Sequence, residues 1–122
     1  MGETRTKVKL QNIDNNKAIT VNALVDNGST MLVLPESVKE ALDLRELGDV
    51  DVEIANRKKE RVKIAGYIEV EISGRKSVFD CVVMGNKALV GQLVLERLDF
   101  LIDSRAQKLV PRHPEIVSVK AK

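Results

Sequence analysis

The chain has 122 residues, 43% of them apolar, with 20 basic and 18 acidic side chains and a formal net charge of +2. That length suits one domain with a modest core, taken here as residues 1–122, and the composition excludes a disordered or fibrous chain. The small basic excess and the 2% aromatic content argue against a nucleic-acid binder, which usually carries a stronger positive charge and stacking rings.

With so few aromatic residues, the core must be built from Val, Ile and Leu, and these β-branched and aliphatic side chains favour strands. Thr6–Asn12 alternates around Val8 and Leu10 as a half-buried strand does. Asp14–Lys17 supplies turn residues, and Ala18–Val25 returns as a second strand. The apolar run Ala23-Leu24-Val25 leads into Asp26, then Asn27-Gly28-Ser29-Thr30, then a second apolar run, Met31–Leu34. Pro35 is well placed at the first turn of a short helix, with Val38, Ala41 and Leu42 expected on its core face.

Val50–Ala55 alternates again, and Asn56–Glu60 is read as a polar, solvated tip. Arg61–Ile72 is a long predicted strand, bent or bulged near Gly66. Ser73–Lys76 turns the chain into the strand Ser77–Met84. Ala88–Gly91 is a short apolar run, followed by an amphipathic helix over Gln92–Leu98, a strand over Phe100–Asp103, a turn, and a strand over Lys108–Arg112. Pro111 and Pro114 close the ordered part, and residues 115–122 are expected to form a tail or a further interface strand. Roughly eight short strands and two short helices, with turn signals every 8 to 12 residues, predict an all-β barrel or sandwich.

The single cysteine, Cys81, permits no internal disulfide and fits a reducing compartment; its apolar surroundings suggest an inert buried thiol. No secretory signal is visible at the start of the sequence and no apolar run approaches membrane-spanning length, so a cytoplasmic protein with no membrane partner is expected. One His (His113) and one Cys give no metal-ligand spacing, and His113, in an exposed-looking segment, is assigned no role. No phosphate-binding loop is present.

Carboxylates remain as the candidate chemistry. Most lie at alternating or helical-surface positions, whereas Asp26 is flanked on both sides by apolar runs. Gly28 permits a tight loop, and Ser29 and Thr30 offer hydroxyls that orient a carboxylate. A D-x-G-[ST] pattern arises by chance in roughly 6 of 100 chains of this length, and Asn27-Gly28 is also a hairpin signal. The pattern therefore gains weight only from agreement elsewhere in the chain.

That agreement takes the form of a family resemblance. The stretch from Ala23 to Val38, the central hairpin from Val50 to Gly66, and Ala88–Asp103 together resemble, in order, the retropepsin-like aspartic proteases, especially their small prokaryotic members. The resemblance covers about residues 6 to 111. It implies a closed barrel with one or two short helices, assembled as a homodimer in which each subunit contributes one aspartate. By resemblance, Asp26 is catalytic and Asn27, Gly28 and Ser29 form its loop, with Ser29 hydrogen-bonded to the outer carboxylate oxygen. Ala55, Asn56, Arg57 and Lys58 belong to a flap over a polypeptide substrate, and Gly91 lets the apolar strand pack beneath the loop. No metal and no cofactor are implied.

Two departures stand out. Asn27 occupies the place of the family's Thr or Ser, whose hydroxyl bonds across the dimer axis; a misplacement of ~1 Å there costs on the order of a hundredfold in rate. The tip Asn56–Lys59 is charged and free of glycine, so it is expected either to close slowly or to select acidic substrates. An alternative reading is therefore a catalytically weak or inactive retropepsin-fold module for dimerisation or peptide binding. A third is a basic all-β nucleic-acid binder acting through Arg57 to Arg61.

Overall fold

The computed structural model describes residues 3–114. Nine strands and two helices are formed among them: β1 (Arg5–Asn12), β2 (Ala18–Val25), β3 (Leu32–Leu34), α1 (Glu36–Leu42), β4 (Arg45–Glu53), β5 (Lys59–Ile72), β6 (Arg75–Val83), β7 (Leu89–Val90), α2 (Gln92–Leu98), β8 (Phe100–Asp103) and β9 (Lys108–Pro111). Seven strands form one sheet in the order β1-β2-β7-β3-β6-β5-β4, and β1 also pairs with β5, so six of them form a ring of pairings. Strands β8 and β9 form a separate hairpin. The tail expected over 115–122 lies outside the described residues.

Strand β5 makes the ring possible. Its first half pairs with β4, from Lys59 opposite Glu53 to Gly66 opposite Arg45, and its second half pairs with β1, from Ile68 opposite Asn12 to Glu71 opposite Lys9. The change of neighbour coincides with a shift in the β5–β6 register between Ala65 and Ile68, the bend expected near Gly66. Gly66 is buried there; a Cβ would lie 3.3 Å from the Leu47 side chain and 3.4 Å from Asp80 Cα. Strand β5 then reverses through Ser73-Gly74, both at positive φ (50° and 82°), the tight two-residue hairpin geometry.

Alternation delivers the core. Val8 and Leu10 from β1, with Ile68, Val70 and Ile72 from β5, point inward and are fully or almost fully buried, with Leu34, Val90 and Val94. Each such side chain contributes about 1.5–3 kcal/mol relative to exposure. Of the expected core face of α1, Leu42 is buried and Val38 packs against the core, but Ala41 is exposed. Val38 and Leu42, four residues apart, lie almost in line along the helix, and Ala41 is turned about 100° away from Leu42.

Asn12, at 1% exposure, occupies an inward position that alternation would give to an apolar residue. It is fully used: its amide donates to the carbonyls of Leu42 (3.0 Å) and Asp43 (3.1 Å), and its side-chain oxygen accepts from the Asp14 N–H. With Asn15, whose amide also donates to the Leu42 carbonyl (3.1 Å), it satisfies the carbonyls at the end of α1. Cys81 is buried and unpaired, and burial pushes its thiol up to about 12, in keeping with an inert role.

His113, given no role by the sequence, is held at the end of the β8–β9 hairpin. Its Nδ1 lies 3.0 Å from both Asp99 carboxylate oxygens and its backbone N–H donates to the same carboxylate at 2.9 Å. Arg75 donates to Asp99 (3.3 Å), to the Leu98 carbonyl (3.1 Å) and to the His113 carbonyl (2.7 Å). Partial desolvation raises the Asp99 carboxyl, but the hydrogen bonds from His113 and Arg75 outweigh it and hold its pKa below the ordinary carboxylate range. The folded pKa is below the unfolded one, so the stabilisation is complete above about pH 4 and fades as pH falls through the folded value. Denaturant titrations of the wild type and Asp99→Asn at successive pH values should show a stability gap at pH 5 that narrows below pH 4. A gap that stays constant to the lowest pH at which both remain folded would contradict this role.

Candidate active site

The Asp26 loop joins β2 to β3, and both strands border β7: Leu24 pairs with Leu89 in parallel, and Val33 pairs with Leu89 in antiparallel sense. The chain must therefore cross the end of β7, and it does so over Gly91. The Asp26 N–H donates to the Val90 carbonyl (2.9 Å), and the carbonyls of Ser29 and Thr30 accept from the N–H groups of Gln92 (2.8 Å) and Leu93 (2.9 Å). These two donors open α2 and have no partner inside the helix, so the loop serves as its N-terminal cap. A Cβ on Gly91 would fall 2.3 Å from the Met31 carbonyl oxygen and 2.7 Å from that of Ser29. Only glycine fits, and the packing beneath the loop is as expected from the sequence.

Within the loop, the Gly28 N–H donates to Asp26 Oδ1 at 3.0 Å and the Ser29 N–H to the Asp26 carbonyl at 3.1 Å. The carboxylate is thus oriented by backbone. The expected hydroxyl contact is absent: Ser29 Oγ instead donates to the Met31 carbonyl, at a long 3.4 Å. The Gly28 N–H is thus the donor to the carboxylate, and the serine hydroxyl is directed to the backbone of the loop. Asp26 is half-buried, while Asn27 and Gly28 are exposed.

Asp26 stands at the edge of a groove of about 550 Å³. Val33, Met84 and Leu89 give it apolar walls, and Lys87 and, at the end of β4, Glu53 and Ile54 also line it. An adjoining depression of about 360 Å³ continues it past Thr30, Val52 and Val82. Asn27 lies outside both, in a second hollow with Thr4, Ile102 and Ser104 that Asp26 also borders. Asp26 therefore separates two hollows, one walled by the β4–β5 hairpin and one bordered by the start of the chain and β8.

The hairpin reaches the groove with the last residue of β4, Glu53, and with Ile54 at the start of the turn, and not with the exposed turn residues themselves. Of the expected flap residues, Ala55, Asn56 and Arg57 form the turn itself, with Asn56 and Arg57 both at positive φ (78° and 59°), and Lys58 follows. Asn56, Arg57 and Lys58 are exposed and do not line the groove, whereas Glu53 and Ile54, which the sequence did not single out, do. Met84 and Lys87 were missed as well, because Met84 approaches Asp26 through the parallel β3–β6 pairing and Lys87 through the parallel β2–β7 pairing. Among the described residues, no group of three or more His, Cys, Asp or Glu side chains is placed to hold a metal ion, and no helix is long and apolar enough to cross a membrane.

No family model and no curated protein matches the chain. Among solved structures, the chain is similar to EIAV protease complexed with an inhibitor, with a TM-score of 0.66 over 80% of this chain and 88% of that one, at 17% identity. The likeness defines the fold as retropepsin-like and mostly β.

The loop geometry makes a direct prediction. Gly91→Ala should cost about 3 kcal/mol, the upper end of the usual overpacking penalty, read as a lower denaturation midpoint with an unchanged denaturant slope. A loss below 0.5 kcal/mol would show that the loop is not clamped where described.

Proposed function

We propose that the chain is an aspartic endopeptidase whose active site is completed by a second copy, with Asp26 from each subunit forming the catalytic pair. The observation that carries this reading is the position of the Asp26 carboxylate. It is fixed by the Gly28 N–H in a groove that the end of the β4–β5 hairpin also lines. The likeness to a retroviral protease supports the same reading at the level of fold. In the proposed assembly each subunit is a closed barrel, and the interface is isologous, with the two Asp26 side chains meeting at the axis.

One carboxylate is insufficient for the chemistry, because the reaction needs a base and an acid at once. Two carboxylates a few ångströms apart cannot both ionise cheaply, share one proton, and titrate as a pair; aspartic proteases are the standard example of this split. The ionised member takes a proton from water as its oxygen attacks the peptide carbonyl carbon. The protonated member gives its proton to the carbonyl oxygen. Collapse of the tetrahedral intermediate breaks the C–N bond and passes a proton to the leaving amine. An extended peptide lying against the hairpin would offer its main chain to Glu53 at the edge of the sheet and its side chains to Val33, Ile54, Met84 and Leu89. Closure of the hairpin, Ala55 to Lys58 at its tip, would exclude water. Asn27, in the hollow on the axis side of Asp26, would make the contact across the interface that a hydroxyl makes in the family.

Incubation with a diverse peptide library from pH 4 to 8, read by mass spectrometry, tests the proposal. Cleavage should follow a bell-shaped pH profile and fall on the order of 10³-fold in Asp26→Asn. Cuts that persist in that variant would rule out the assigned residue. A folded dimer that makes no cuts would favour the peptide-binding module, with Asn27→Thr as the substitution expected to restore turnover.

A further inference from the structure

The cations of the β4–β5 hairpin fall into two groups. Along its shaft they are matched by acids of β4: Arg61 pairs with Asp51 (3.2 Å) and Asp49 (3.8 Å), and Lys63 pairs with Glu46 (3.2 Å). Lys59 stands directly opposite Glu53 in the strand register. Beyond that point no β4 residue lies opposite, and Arg57 and Lys58 are exposed with no carboxylate within 4 Å among the described residues. Two hydrogen bonds tie this tip to the groove wall: Ile54 N–H to the Lys58 carbonyl (2.8 Å) and Arg57 N–H to the Ile54 carbonyl (3.1 Å). Lys87, which lines the same groove, is exposed and likewise lacks a carboxylate partner among the described residues.

The groove is therefore apolar along Val33, Ile54, Met84 and Leu89, with Lys87 among its lining residues, Glu53 facing Lys59 across the hairpin, and Arg57 and Lys58 just outside it on the turn that Ile54 anchors. We propose that Arg57, Lys58 and Lys87 select polypeptides carrying Asp or Glu on either side of an aliphatic residue seated at Asp26. This rests on the peptidase reading for the cleavage step but not for the binding step. Nucleic acid fits the same groove poorly: Tyr67, Phe79 and Phe100 are not among its walls, so it offers no ring on which a base would stack.

The test uses matched peptides that differ only in having Asp and Glu or Asn and Gln beside the aliphatic residue. Binding is followed by fluorescence anisotropy on the full chain carrying Asp26→Asn, and cleavage on the wild type. Two new exposed ion pairs amount to roughly a tenfold preference for the acidic peptide, and added salt should reduce it. Arg57→Ser with Lys58→Ser, or Lys87→Ser, should each lower the acidic-to-neutral ratio of kcat/KM, or of affinity, towards one. An acidic peptide that is bound selectively but never cut would uphold the selection and remove the peptidase reading. Equal use of both peptides, with cleavage intact, would overturn the selection alone. Failure to bind either peptide, or equally tight charge-dependent binding of a labelled single-stranded oligonucleotide, would overturn it too.

Discussion

The structure depends on the contact between Gly91 and the loop that carries Asp26. The loop must pass from one side of β7 to the other, and α2 starts immediately where β7 ends. The helix has unpaired N–H groups at its start, and the loop has carbonyls with no strand partner. Bringing Ser29 and Thr30 onto Gln92 and Leu93 settles both at once. The approach leaves no space for a Cβ at position 91, so the satisfaction of four backbone groups rests on one glycine. Asp26 is a consequence of this arrangement: its N–H is fixed by Val90 and its carboxylate by Gly28.

The second determinant is the length of β5. Fourteen residues are more than one neighbour uses, and the bend near Gly66 divides them between β4 and β1. One half closes the ring around the core. The other half extends with β4 as a hairpin, held by the Arg61 and Lys63 ion pairs on its exposed face. Exposed pairs of this kind contribute little stability each, but they fix which cations are neutralised and which remain free at the tip.

Much of this was legible in the sequence. Val8 and Leu10, the strand Ala18–Val25, the helix Gln92–Leu98 and the strand Phe100–Asp103 follow from periodicity and turn residues, and the observed limits agree for the last three. The bend at Gly66 followed from a glycine inside a strand pattern. Contacts between residues distant in sequence did not follow. Arg75, Asp99 and His113 are brought together by the β8–β9 hairpin, and none has a local signal. Asn12 reads as a strand-end polar residue until α1 is placed beside it. The parallel pairings of β3 with β6 and of β2 with β7 put Met84 and Lys87 beside Asp26, and Glu53 and Ile54, just before the turn, line the groove in place of the turn residues. The Ser29 hydroxyl, which the resemblance placed on the outer carboxylate oxygen, is directed to the Met31 carbonyl, and the Gly28 N–H holds Asp26 Oδ1.

The central claim is that one chain holds half of a site, with a single positioned carboxylate where the chemistry needs two. Mixing wild-type chain with increasing Asp26→Asn chain, at fixed wild-type concentration and under subunit exchange, tests it most directly. A shared site predicts that peptide cleavage falls as mixed dimers replace wild-type ones, towards zero at large excess of the variant. Cleavage that stays constant throughout the titration would mean that each chain works alone, and would contradict the account.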